Sequence, residues 1–169
     1  SIIKRIFKLI SKSKIQYNYF GLKLIGDINE PMDKEIYLFD EYENNQIKYL
    51  IKNIKLSNFE YFIDVGANSG VYSLIINNKF KNIKIMSFEP IKKSINKFLD
   101  NLKNNPKLKN IKIYKFGLSN KDTELLMKSQ VRDEYIQTGG FGVVTKYDKL
   151  KNFHTEKAIF KKGDDILKL

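Results

Sequence analysis

Between residues 59 and 116 the spacing of apolar positions switches repeatedly between two periods. Tyr61–Val65, Ile83–Phe88 and Ile111–Tyr114 are short runs of β-branched and aromatic residues, while Ser69–Asn78 and Ile91–Lys103 place apolar residues at helical spacing. Strands alternating with helices of this length form right-handed crossover units. The predicted fold is therefore α/β, a parallel sheet with helices on both faces. Pro106 closes the second helical region, because proline cannot continue a helix.

The flanking segments follow other patterns. Ile2, Ile6 and Leu9 recur at helical spacing with Lys4, Arg5 and Lys8 opposite, which predicts a short basic amphipathic helix. Such a helix packs on its own domain or makes weak peripheral contact with a membrane surface. Tyr17–Ile28, interrupted by Gly21 and Gly26, and the β-prone run Ile36–Phe39 predict a small antiparallel lead-in, and Glu43–Lys55 predicts a helix. Residues 1–58 are thus a helix, hairpin and helix preceding the α/β unit of residues 59–169. Beyond Phe116 the pattern weakens. Thr123–Met127 and Lys157–Phe160 read as strands, and Val131–Tyr147 reads as a loop around Gly139, Gly140 and Gly142.

Composition narrows the functional classes. The net charge is +12, yet almost all of the basic residues are Lys, spread along the chain among Ile and Asn. Groove reading and bidentate phosphate clamps favour Arg, so a specific nucleic-acid partner is not expected. The chain has no Cys, which excludes disulfides and thiolate metal sites and fits a reducing, cytoplasmic setting. No apolar run reaches the ~18 residues of a membrane span.

The chemistry concentrates in Phe62-Ile63-Asp64-Val65-Gly66-Ala67-Asn68-Ser69-Gly70, a strand leading through a glycine turn into a helix. Glycines there let a backbone approach a ligand closely, and the following helix N-terminus offers N–H groups. The dinucleotide fingerprint needs a glycine at Asn68, and a phosphate-binding P-loop needs Gly-Lys-Ser/Thr, so neither applies. Asp64 would repel a pyrophosphate but suits a ligand bearing an ammonium group. Glu89, at the end of the next strand in Phe88-Glu89-Pro90, stands where an acid accepts ribose hydroxyls. An ammonium, a carboxylate, a sulfonium and a ribose occur together in S-adenosylmethionine.

These two motifs, with Phe116-Gly117-Leu118-Ser119-Asn120-Lys121-Asp122-Thr123-Glu124, resemble the FkbM-type methyltransferases, within the Rossmann-like S-adenosylmethionine-dependent group. The resemblance runs from about Gly21 to the end of the chain. It implies the first half of a class I methyltransferase fold and O-methylation, without a metal, of a sugar or another hydroxylated metabolite. By position it implies that Asp64, Gly66, Ala67, Asn68 and Gly70 hold the methionine end, that Glu89 holds the ribose, and that Gly117 and Leu118 border the adenine. The chain departs from the family pattern at Gly117, where Ala is frequent, and at Thr123, where Gly is frequent.

No catalytic base is identified. His154 is the single histidine and falls in a polar stretch that reads as a solvated loop. Gly139, Gly140 and Gly142 fit either a segment closing over substrate or a plain hairpin turn. Three other classes remain: a noncatalytic S-adenosylmethionine-binding remnant, a nucleic-acid methyltransferase or binding module, and, least favoured, a nicotinamide oxidoreductase. Gly163-Asp164-Asp165-Ile166-Leu167 resembles the lead-in to the family's fourth parallel strand. The expectation is a cofactor-binding half whose strand Tyr61–Val65 lacks one neighbour, with little activity by itself and a tendency to self-associate.

Overall fold

The computed structural model describes residues 13–132, 135–149 and 151–167. The amphipathic helix expected at Ile2–Ile10 lies outside them. A hairpin opens the described chain: β1 (Lys14–Tyr19) and β2 (Leu22–Asp27) pair antiparallel, Tyr19 opposite Leu22, as the lead-in pattern predicts. Gly21 turns the corner at φ 77°, a left-handed conformation that glycine adopts without Cβ strain.

The run Ile36–Phe39, read as β-prone, is instead the end of helix α1 (Pro31–Phe39). Pro31 is preset for the first helical turn, and Met32 and Ile36 fall four residues apart, so both turn toward the main core. Asp33, fully buried, ties the helix to the hairpin by accepting from Tyr17 Oη (2.7 Å), from the Asp27 amide (2.8 Å) and from Lys97. Local β propensity loses to these tertiary contacts.

Helix α2 (Asn44–Lys55) precedes the parallel unit: β3 (Tyr61–Val65), α3 (Val71–Lys79), β4 (Lys84–Phe88), α4 (Lys92–Lys103) and β5 (Ile111–Tyr114), in sheet order β3-β4-β5. All three strands lie within the predicted ranges. Register aligns Phe62 with Ile85 and Ile111, and Asp64 with Ser87 and Ile113, so these residues share one sheet face. Ile54, Ile76, Ile83 and Ile85 form one core cluster there, and a larger one joins Leu22, Leu24, Ile47, Leu74, Ile75 and Phe98. The hairpin and the parallel unit therefore share a core. Helices α3 and α4 pack on this face; on the other, Phe88 stacks on Tyr114 at 4.6 Å with Phe116 beside it. Helix cover on both faces is thus seen on one side among the described residues. Both crossovers run in the same direction along the sheet, which sends their helices to the same side.

The rest of the chain is more β-rich than its pattern indicates. β6 (Gly117–Ser119), β7 (Thr123–Arg132), β8 (Tyr135–Ile136), β9 (Gly142–Val143) and β10 (Phe153–Lys162) precede a short helix α5 (Gly163–Ile166). β7 and β10 form a long antiparallel ladder, and β10 also runs parallel to β6. Ile91, Met127 and Ala158 pack this sheet against the junction between β4 and α4. Among the described residues no helix is long and apolar enough to cross a membrane.

Candidate functional site

The turn between β3 and α3 is held by its neighbour strand. The amides of Gly66 and Ala67 both donate to the Phe88 carbonyl, at 2.9 and 3.0 Å, and Gly70 N–H closes on the Ala67 carbonyl at 2.7 Å. Gly66, Asn68 and Gly70 all have positive φ (80°, 48° and 79°). The two glycines serve different ends. A Cβ on Gly66 would meet nothing within 4 Å, so its backbone faces open space, whereas a Cβ on Gly70 would strike the buried ring of Phe98. Gly70 is therefore a packing glycine at the close approach of α3 and α4. The ligand-approach argument made from sequence applies at Gly66.

Glu89 is buried, and its carboxylate acts within the protein: one oxygen accepts the Asn68 amide at 2.8 Å and the other the Ile91 amide at 2.9 Å. It thereby fastens the glycine turn to the start of α4. Burial raises its carboxyl above the ordinary carboxylate range, and the two amide bonds partly offset that. Each carboxylate oxygen has a further lone pair for a ligand hydroxyl.

Asp64 stands at the end of β3 and accepts Ser73 Oγ at 2.6 Å; Ser73 Oγ also meets Ser87 Oγ at 2.7 Å. Burial again raises this carboxyl, opposed by the bonds from Ser73. Ser73 and Ser87 escaped the sequence reading. Their signal is a pair of small polar residues at inward positions of an otherwise apolar helix and strand.

A cleft of about 400 Å³ opens beside the turn, lined by Asp64, Gly66, Ala67, Asn68 and Ser69 on one side and by Glu43, Tyr72 and Gly139 among its other walls. Glu43 immediately precedes α2 and has a left-handed backbone, φ 49°. A non-glycine residue held in that conformation costs about 1–2 kcal/mol. Its carboxylate accepts Tyr72 Oη at 2.6 Å, and burial together with this bond pushes the Tyr72 phenol up. The sequence pattern starts a helix at Glu43; its place at the cleft depends instead on a left-handed backbone conformation just before that helix, which no local pattern encodes.

Two side-chain oxygens of cleft-lining residues are buried without a hydrogen-bond partner, Asn68 Oδ1 and Ser69 Oγ, as is Thr138 Oγ1 next to Gly139. Buried polar atoms are rarely left this way unless something else satisfies them.

Of the remaining predicted residues, Gly117 and Leu118 lie in β6, away from the cleft lining. Gly117 is needed because a Cβ would strike Phe160. His154 lies in β10, where β-prone residues alternate between faces, and not in a loop; its ring meets Phe141 edge-on, with Nε2 3.4 Å from Glu156 Oε2. A second hollow of about 430 Å³, between the hairpin and Asn104 at the end of α4, has neither acid nor glycine turn. Among the described residues no three His, Cys, Asp or Glu side chains gather as a metal site would require.

No protein-family profile matches the chain. No curated protein matches it either. Among solved structures, it is similar to the SAM-dependent methyltransferase from Agrobacterium tumefaciens, with 12% identity and a TM-score of 0.48 over 62% of this chain. The matched region is 33% of that protein, so the chain spans about one third of its length. A likeness of this degree leaves function to be argued from the site.

Proposed function

We propose that the cleft binds S-adenosylmethionine and that the chain is the cofactor-binding part of a methyltransferase acting on a hydroxyl of a sugar or related metabolite. The observation that carries this reading is electrostatic. In a chain with 31 Lys and Arg and a net charge of +12, the cleft is lined by two carboxylates, Asp64 and Glu43, and by no basic residue. A partly desolvated acidic cleft in a basic protein favours a cationic ligand, since Coulomb attraction strengthens as water is excluded. Of the unpartnered cleft oxygens, Asn68 Oδ1 can only accept and would take an N–H or O–H donor, whereas the Ser69 hydroxyl can donate or accept.

Asp64 and Glu43, which line the cleft, would face the cationic groups, and Glu89, buried beside the turn and outside that lining, would accept a ribose hydroxyl while keeping its two amide bonds. The FkbM-type resemblance supplies the hydroxyl acceptor and the place of Gly117 and Leu118 beside an adenine. S-adenosylmethionine supplies an activated methyl on sulfur when bound. The work left to the protein is alignment of acceptor oxygen, methyl carbon and sulfur, together with removal of the hydroxyl proton. The two cleft carboxylates that could accept that proton are Glu43 and Asp64, each already accepting one hydroxyl, from Tyr72 and from Ser73.

A noncatalytic S-adenosylmethionine-binding role shares every one of these contacts. Calorimetric titration with S-adenosylmethionine, S-adenosylhomocysteine and NAD separates adenosyl-amino-acid binding from dinucleotide binding. The first two should bind at one site and NAD weakly or not at all. Methyl transfer to a panel of sugar acceptors then separates enzyme from binder.

A further inference from the structure

We infer that Glu30 is a positioning residue that holds the Tyr135–Gly139 segment in place as a wall of the cleft, and so sets how fast a bound ligand leaves. The inference rests on the proposed ligand only for its effect on release; the clamp itself stands on geometry.

Glu30 precedes α1 and is 3% exposed. A buried carboxylate needs partners, and Glu30 finds them more than a hundred residues away in sequence. Its Oε1 accepts Tyr135 Oη at 2.9 Å and the Thr138 amide at 2.6 Å. Lys93 of α4 completes the arrangement, with its ammonium 3.7 Å from the centre of the Tyr135 ring and donating to the Ile136 carbonyl. Ser129 of β7 holds the next residue, its hydroxyl donating to the Gln137 carbonyl at 2.8 Å.

The residue so delivered to the cleft is Gly139. The position a Cβ would occupy there lies 3.5 Å from Asn68 Nδ2, so this wall abuts the glycine turn. Thr138, its neighbour, is 5% exposed and has an unpartnered hydroxyl, as do Ser69 and the Asn68 carbonyl on the turn. Unsatisfied oxygens thus lie on both the segment and the turn. At its two ends the segment is tied by β8 and β9, two residues each and both paired on β7. Charge-assisted bonds to a buried acid are stronger than neutral ones, and here they anchor the stretch between those two short strands.

The test is amide hydrogen exchange on the ligand-free chain combined with the dissociation rate of S-adenosylhomocysteine, for the wild type and for Glu30→Ala, Glu30→Gln and Tyr135→Phe. Glu30→Ala should speed exchange at Thr138, Gly139 and Gly140 while leaving α3 and α4 protected, and should release S-adenosylhomocysteine roughly tenfold faster. Glu30→Gln retains a carbonyl acceptor and should recover most of both effects. Tyr135→Phe removes one donor outside the main core and should give a smaller change of the same kind. Unchanged exchange at Thr138–Gly140 in Glu30→Ala overturns the clamp, as does loss of protection spread evenly over the molecule. If Glu30→Ala does not fold, Tyr135→Phe decides, and exchange equal to wild type overturns the inference. If the wild type does not bind S-adenosylhomocysteine, the functional proposal fails, and exchange in the ligand-free variants alone decides whether the clamp stands.

Discussion

Two glycine-bearing turns meet at the cleft, and they are built in different ways. The turn Gly66–Gly70 is made by its own neighbourhood: a strand before it, a helix after it, and Phe88 and Glu89 of the adjacent strand bonding its amides. The segment around Gly139 runs between β8 and β9, two residues each and both paired on β7. It is held from outside, by Glu30 near the start of the described chain, by Lys93 of α4 and by Ser129 of β7. The first turn is a local structure with a sequence signature. The second is a tertiary structure whose glycines alone say little. A binding site assembled from one of each has a fixed floor and a wall whose position depends on remote contacts.

Substitution at the floor should be the most costly. Gly70→Ala places a methyl against Phe98 at a positive φ, and overpacking and backbone strain together should destabilise the chain by about 2–5 kcal/mol in urea unfolding. Gly66→Ala meets open space and carries the strain alone, about 1–2 kcal/mol. Equal losses at the two positions would erase the distinction between a packing glycine and a cleft glycine.

Glu89→Ala comes next. It strands the amides of Asn68 and Ile91, and should cost roughly 2–4 kcal/mol of stability besides weakening S-adenosylmethionine binding. A variant that loses affinity with unchanged stability would show that the carboxylate serves the ligand and not the turn.

Asp64→Asn should act in the opposite sense on stability. It removes a desolvated charge whose hydrogen-bond partner is the neutral Ser73, and should raise the stability of the ligand-free chain, read as a higher urea midpoint. S-adenosylmethionine affinity should fall at the same time.

At the wall the effects should be smallest. A Cβ on Gly139 makes ordinary contact with Asn68, so Gly139→Ala should change unfolding free energy by less than about 0.5 kcal/mol and show itself mainly in ligand affinity.

The same contrast explains what was legible in the sequence. Strands β3, β4 and β5 and helices α2, α3 and α4 carry uninterrupted hydrophobic periods, and their observed spans lie close to those read from the pattern. Asp64, Gly66, Ala67, Asn68 and Glu89 stand out together in the sequence because strand, turn and acid are joined by short spacings; the structure puts the first four in the cleft lining and Glu89 on the amides of Asn68 and Ile91. Glu43, Tyr72 and Glu30 were missed because each acquires its role from a residue 29 or more positions away. Ile36–Phe39 shows its helix only in the structure because Asp33, set among Glu30, Lys34 and Glu35, reads as a surface residue until its buried partners are known. His154 was misplaced because the solvated edge of a strand and a loop have the same polar composition.

The edge of the parallel sheet offers no such remote partner. Among the described residues β3 pairs on one side only, with β4, and Val65 at its end is 59% exposed. Unpaired edges of this kind promote association between chains.

The central claim is that the cleft is acidic in order to seat a cation, and linkage between protons and ligand tests it. Burial raises the carboxyls of Asp64 and Glu89 above the ordinary value of about 4, so in the ligand-free chain ionising them opposes folding, and their contribution to stability falls as pH rises from there through their folded pKa values. A seated cation favours the ionised form of Asp64 and must lower its pKa, so binding in that window releases protons. The decisive measurement is calorimetric titration of S-adenosylmethionine across this pH range in buffers of different ionisation enthalpy. The account predicts net proton release on binding, affinity that rises with pH until Asp64 is fully ionised, and loss of that pH dependence in Asp64→Asn. Binding with no proton release and no pH dependence, or tighter binding of NAD, would contradict it.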